Sequence, residues 1–358
     1  MATRLAICGL GQGMDHLEAC LENESIRIVA LVDKCPDTRI EGLEKIEAMY
    51  PDEDPPESYE ELPELAGDDS KKSELDGVIL ALPHDVYGEE WRHIMQLGVP
   101  ILKEKPLGRN VSEAITFLHE AHKRDILLMT AVQRRYHSAY RELRKLIVEP
   151  RTMVRSIRII YGLGRSQSES AKNWRDDTRK SGGGMLLDAG YHMMDLVQFL
   201  VGTGHLVSAT ITKDVYGREI PCGREDGEDH CYITVGKDSM LISIECHRSG
   251  EKAEHVIVDT EHEDGKKSGR IELERGPEMF VLTEPSGKVQ GFCGRWKPAL
   301  KYQIEKFVEN ISSNSLDVQQ DAYSQLPVQR IIHDAYALAD PFSFGTSDRP
   351  RDKKREMG

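Results

Sequence analysis

The sequence predicts an α/β protein in two parts: a doubly wound parallel sheet over residues 1–130, then an α/β domain with a large, mostly antiparallel open sheet over 131–345. Three observations predict it. Short apolar strands alternate with helix-length segments through the first part, a glycine cluster joins the first strand to the first helix, and from about Val154 strands succeed one another across tight turns. At 358 residues the chain also exceeds a comfortable single core.

Leu5 to Cys8 is a short apolar strand, followed by Gly9-Leu10-Gly11-Gln12-Gly13 and a helix-like stretch from His16 to Leu21. Ile26 to Val32 is a second β-rich run that stops at Asp33. Strand, glycine turn, helix and strand form a βαβ unit, the seed of a parallel sheet. The alternation continues through Val78–Leu82, a helix around Glu89–Leu97, Ile101-Leu102, a helix around Val111–Lys123, and Ile126–Met129. The acidic, proline-bearing run from Pro51 to Glu57 reads as a surface loop.

Beyond Val154 the strand-like segments are Ser156–Gly162, His205–Asp214, Cys231–Val235, Ser239–Cys246, Glu254–Asp259, Arg270–Leu273 and Phe280–Thr283. Gly236-Lys237-Asp238 and the run 264–269 have hairpin composition. Two apolar-periodic helices follow, near Lys301–Ile311 and Leu326–Leu338, and the charged run 346–358 lacks periodicity and is expected to be disordered.

A net charge of -14 argues against nucleic acid or an anionic membrane as partner, since both need a basic face. Seven cysteines, odd in number and without Cys-x-x-Cys spacing, indicate neither a disulfide framework nor a metal site. Met1–Ile7 runs straight into a strand without a basic-then-apolar leader, and no apolar stretch has the length of a bilayer span. The expectation is a reduced, cytoplasmic protein.

Glycines between a strand and a helix let backbone amides and the helix N-terminus approach a pyrophosphate, which marks Gly9, Gly11, Gln12 and Gly13 as nucleotide-binding. The pattern is irregular, because Met14 stands where the third glycine of Gly-x-Gly-x-x-Gly belongs. Asp33 ends the next strand, where a carboxylate can bind both ribose hydroxyls of an adenosine and repel a 2′-phosphate. NAD is therefore expected over NADP, with Lys34 as the neighbouring cation that could reverse the preference.

Two later segments carry the chemistry. Lys105, in Lys103-Glu104-Lys105-Pro106, ends an apolar strand at the edge where parallel sheets bind ligands. Were Asp188–Phe199 helical, Asp188, His192 and Asp195 would share one face, with no further cluster to complete a metal site. A lysine, an aspartate and a histidine suffice to move a proton on and off an alcohol beside a redox cofactor. A buried structural cluster, with Asp188 as a helix cap, is the competing reading.

In order and spacing, the chain from about residue 4 to 340 resembles the glucose-fructose oxidoreductase/inositol 2-dehydrogenase (Gfo/Idh/MocA) family. The likeness rests on the N-terminal glycine turn, Leu75-Asp76-Gly77-Val78, Glu104-Lys105-Pro106, Trp174-Arg175 ahead of Gly182-Gly183-Gly184, and Asp188-x-Gly190-x-His192-x-x-Asp195. The segment Leu82-Pro83-His84-Asp85-Val86-Tyr87 departs from it, lacking the usual threonine, asparagine and second histidine. The resemblance implies a Rossmann domain, NAD or NADP as cofactor, and Lys105, Asp188 and His192 as the catalytic lysine, aspartate and histidine. It also implies a sugar, cyclitol or related polyol, oxidised or reduced at a secondary carbon.

Pro83, His84 and Glu104 are further candidates for cofactor contact, and Arg134, Tyr136, Trp174 and Arg175 for substrate contact. A homodimer or homotetramer is expected, because a large sheet with helices on one face needs cover on the other. Two other functions fit the same scaffold: reduction of an imine or keto intermediate, and a nucleotide-binding regulator without turnover.

Overall fold

The computed structural model describes residues 2–150, 152–164, 174–215, 218–222, 227–262, 268–313 and 322–339. The run 346–358, expected to be disordered, lies outside them.

The first sheet holds β1 (Thr3–Cys8), β2 (Ile26–Val32), β3 (Glu57–Tyr59), β4 (Gly77–Leu80), β5 (Ile101–Glu104) and β6 (Leu128–Ala131). They are all parallel, in the order β3-β2-β1-β4-β5-β6. Strand order reverses between β1 and β4, which opens a crevice at their carboxyl ends. The sheet is wrapped by α1 (Leu10–Leu21), α2 (Pro36–Met49), α3 (Leu62–Gly67), α4 (Asp69–Glu74), α5 (His84–Leu97) and α6 (Val111–Lys123). β1 alternates sides, sending Leu5 and Ile7 into one core layer and Ala6 and Cys8 into the other. Glu57, read as loop, begins the edge strand β3, paired with β2 at Ala30.

The second sheet has nine strands: β7 (Thr152–Gly162), β8 (His205–Val215), β9 (Arg218–Pro221), β10 (His230–Lys237), β11 (Met240–His247), β12 (Ala253–His262), β13 (Ser268–Arg275), β14 (Met279–Thr283) and β15 (Val289–Cys293). Their order is β15-β14-β13-β12-β7-β11-β10-β8-β9, and all neighbours are antiparallel except β7 and β11. Alternation along β12 buries Glu254, Val256 and Val258 on one side. That side packs on α7 (Ser138–Ile147) and α8 (Tyr191–Val201). The other side leaves Val207, Tyr232 and Leu241 exposed among ion pairs such as Arg270–Asp259.

The chain then returns to the first sheet. α9 (Lys297–Ser313) lays Leu300, Ile304 and Phe307 against Leu5, Ile7 and Leu17, while α10 (Leu326–Ala339) puts Ile332 and Tyr336 into the second core. Among the described residues, no helix is long and apolar enough to cross a membrane.

Candidate active site

A cavity of about 610 Å³ runs from the glycine turn after β1 to the inner edge of the second sheet. Its nucleotide end is shaped by close backbone approach. Gly9 has φ 86°, and a Cβ there would sit 2.5 Å from the Ala81 carbonyl oxygen, so only glycine fits. Gly11 faces open space, whereas a Cβ on Gly13 would stand 3.1 Å from Ile7 Cγ2. Gly13 thus serves the packing of α1 on β1. It does not line the cavity.

Asp33 also lines this end, accepting hydrogen bonds from the amides of Leu10 (2.6 Å) and Cys35 (2.8 Å). Its carboxylate therefore ties β2 to the glycine turn. Lys34 points to solvent, 3.5 Å from Glu61, and is not part of the wall. A different cation, Arg39, donates to the Asp33 carbonyl, and nothing in the β2 strand pattern singled it out.

The turn after β5 is braced from below. Buried Lys103 donates to the carbonyls of Glu104 (2.9 Å) and Pro106 (2.7 Å) and lies over the Tyr87 ring; burial pushes its pKa down to about 7. Glu104 meets His16 Nε2 at 2.7 Å and accepts from the Lys105 amide at 3.2 Å, linking α1 to the same turn. Lys105 then projects across the cavity. Its Nζ donates to Asp188 Oδ1 at 2.7 Å and to the Asp188 carbonyl at 3.0 Å.

Asp188 lies in a π-helical turn, Leu186–Gly190, that precedes α8. Burial would raise its pKa, but the Lys105 and Arg175 charges outweigh that and hold it well below the usual carboxylate range. His192, on the first turn of α8, is buried, with Nδ1 unpartnered. Burial first, then the Arg134 and Lys105 charges, push its pKa well below that of a free imidazole, so it is neutral at neutral pH. The three residues do not share one face: the π-helical turn shifts the phase between Asp188 and α8, so Asp188 and His192 line the cavity while Asp195 is fully buried against Arg135 (2.9 Å) and Gln325 (2.8 Å).

The glycine triplet before this turn exists for contact. Gly182 has φ 84°, a Cβ on Gly183 would collide with Tyr336, and one on Gly184 would lie 2.5 Å from the Glu228 amide nitrogen. Glu228, unforeseen from sequence, accepts from the amides of Gly184 and Leu186 (both 2.9 Å) and from the Tyr336 hydroxyl (2.6 Å). It pins the chain that carries Asp188.

The remaining candidates divide. Pro83 and His84 line the cavity; His84 Nδ1 lies 2.8 Å from the Ser181 carbonyl and its ring meets Trp174 edge-on. Burial and the Lys105 charge push its pKa down to about 3. Arg175 stacks on Trp174, 3.8 Å from Asp188. Arg134 lies between Tyr161 and Trp296 and donates to Glu254 (2.9 Å), which also takes Tyr140 (2.6 Å) and Arg275 (3.1 Å). Tyr136, one position from Arg135, turns away from the cleft onto Tyr302 of α9. Gln133, in the turn after β6 that the sequence placed near the cleft, lines the cavity, and Tyr161, Leu163 and Trp296 line it unannounced, because only tertiary contact brings β7 and the loop before α9 to it.

A parallel-sheet crevice at the glycine turn that continues into a chamber lined by Lys105, Asp188 and His192 defines an oxidoreductase. Residues 3–132 match the oxidoreductase family with an NAD-binding Rossmann fold, and residues 140–262 match the GFO/IDH/MocA C-terminal domain. The chain belongs to the Gfo/Idh/MocA family. It is similar to the rhizopine catabolism protein MocA of Rhizobium meliloti, 26% identical over 200 residues, spanning 56% of this chain and 57% of that protein. It is also similar to the scyllo-inositol 2-dehydrogenase (NADP(+)) IolU of Bacillus subtilis, 23% identical over 357 residues, which covers 93% of this chain and 95% of that one. A crystallised 3-ketoreductase from Actinomadura kijaniata, in complex with NADP and TDP-benzene, shares the fold with a TM-score of 0.77 at 16% identity, covering 95% of this chain and 98% of that one.

Proposed function

We propose that the protein is an NAD(P)-dependent dehydrogenase or reductase acting at a secondary alcohol or ketone carbon of a sugar, cyclitol or related polyol. The observation that carries the reading is the Lys105–Asp188 contact at 2.7 Å beside His192, in the same cavity as Gly9, Gly11 and Asp33. The space above Gly11 and the Asp33 carboxylate suit a dinucleotide. Bound there, the nicotinamide would exchange the hydride of the substrate carbon.

His192, held neutral, takes the hydroxyl proton during oxidation and returns it during reduction. Lys105 hydrogen-bonds the same oxygen, favouring the alkoxide-like charge that develops on it. Asp188 stays ionised, so it keeps the Lys105 ammonium aimed and accepts from neighbouring hydroxyls. An intact proton-transfer set supports an enzyme over a non-catalytic sensor. The test is nicotinamide absorbance at 340 nm against sugars, cyclitols and ketones, with both cofactors. Binding of NADH without turnover of any compound would favour the sensor.

A further inference from the structure

A second cavity of about 360 Å³ adjoins the first, and Tyr161 and Leu163 line both. It lies on the substrate side, away from Asp33, and its wall includes Lys252, Glu254 and Arg275. The charges around the two chambers are lopsided. Lys105, Arg134, Arg175, Lys252 and Arg275 stand against four carboxylates: Asp33 at the nucleotide end, Glu104, which His16 engages, and Asp188 and Glu254 at the end where the chambers meet. This excess of cations stands in a chain of net charge -14, against the average field of the protein.

Glu254 does not neutralise the side chamber. Arg134 and Arg275 both pair with it, and its remaining partner is the Tyr140 hydroxyl. Lys252 is exposed on the rim and makes no ion pair among the described residues. Gly164 (φ 66°) brings the chain after Leu163 across the base of Lys252, where a Cβ would lie 2.9 Å from the lysine Cβ. The rim and the main chamber thus share one wall.

We infer that the substrate carries an anionic group, a carboxylate or a phosphoryl, on its polyol skeleton, and that this group lodges in the side chamber at Lys252 beside Arg134 and Arg275. The inference rests on the proposed hydride transfer at Lys105 and His192 and narrows its substrate class. The polyol ring occupies the chamber of Lys105, Asp188 and His192, and its charged arm passes Tyr161 into the basic lobe.

The test compares glucose and myo-inositol, both neutral, with glucuronate and glucose 6-phosphate, which separate a carboxylate from a phosphoryl. Turnover is measured with saturating cofactor, and binding by quenching of tryptophan fluorescence in the NADH-loaded protein, since Trp174 and Trp296 line the cavity. At least one acid should exceed glucose about tenfold in kcat/KM, and high salt should erode the advantage because a rim cation is screened. Lys252→Glu should lower the acid-to-neutral ratio by about tenfold, and Lys252→Arg should keep it. Quenching by neither acid, an acid-to-neutral ratio near one, or indifference of the ratio to Lys252→Glu overturns the inference. Turnover of glucose or myo-inositol alone sinks the anionic class while leaving hydride transfer in place; NADH binding with no turnover in the whole polyol and ketone panel sinks both.

Discussion

Lys105→Met followed by Asp188→Asn separates a catalytic pair from a structural one. The two side chains are only 13% and 12% exposed, so removing Lys105 strands a buried carboxylate rather than a solvated one. Breaking such a pair costs roughly 3–5 kcal/mol; Arg175 at 3.8 Å still offsets part of the charge, which places the expected loss near 3 kcal/mol. Turnover should fall by roughly a hundred- to ten-thousand-fold. Adding Asp188→Asn to Lys105→Met removes the stranded charge, so urea unfolding should return to within about 1 kcal/mol of the parent. Turnover should stay low, because neither change restores a donor to the reacting oxygen. Recovery of turnover together with stability would refute the assignment and make the contact a structural one.

Stability should also depend on acid well above the carboxylate range. Above pH 6.5 His84 and His192 are neutral in both folded and unfolded chains; below it the unfolded chain binds protons that the folded one, with His84 pushed down to about 3, does not. Stability should therefore fall by about 1.4 kcal/mol per pH unit per histidine, or about 2 kcal/mol at pH 5 for His84 alone, and His84→Asn should remove that share; equal urea midpoints at pH 7 and 5 would contradict it. NADH should bind more tightly than NADPH in a fluorescence titration, and Asp33→Ser should relax the preference; the reverse order would mean that Arg39, which donates to the Asp33 carbonyl, governs the site. The nine-stranded sheet, with Tyr232 and Leu241 exposed on its uncovered face, should pair in solution, so light scattering should give a multiple of 40.4 kDa and Leu241→Glu should lower it; a stable monomer would remove the claim.

What could be read in the sequence is what local pattern controls. The βαβ units of the first sheet follow from strand, glycine and helix periods within windows of a few tens of residues; β1, β2, β4, β5 and β6 lie within a residue or two of the expected runs, whereas the three-residue edge strand β3 is hidden in an acidic run that reads as loop. Lys105, Asp188 and His192 stood out because each sits at an element boundary beside glycine or proline, where parallel sheets and helix starts place polar groups. The misreadings share a cause as well. Asp195 was assigned to the same face as Asp188 by uniform helical phase, and a π-helical turn at Leu186–Gly190 breaks that phase. Tyr136 follows two arginines in a single 3₁₀ turn, Gln133–Tyr136, where one residue's difference decides between the cleft and the core. The partners that hold the site are distant in sequence: Glu228 lies 44 residues from Gly184, and Glu254 lies 120 from Arg134. Nothing in the strand pattern of β12 distinguishes Glu254 from a solvent-facing residue, since only the pleat decides which side of the sheet it takes. Its inward side places a carboxylate among Arg134, Arg275 and Tyr140, where removing it would leave the buried Arg134 guanidinium without its carboxylate. Glu254 thus stands at the cavity beside the cleft while the buried Thr260 of the same strand does not, and only the folded chain separates the two.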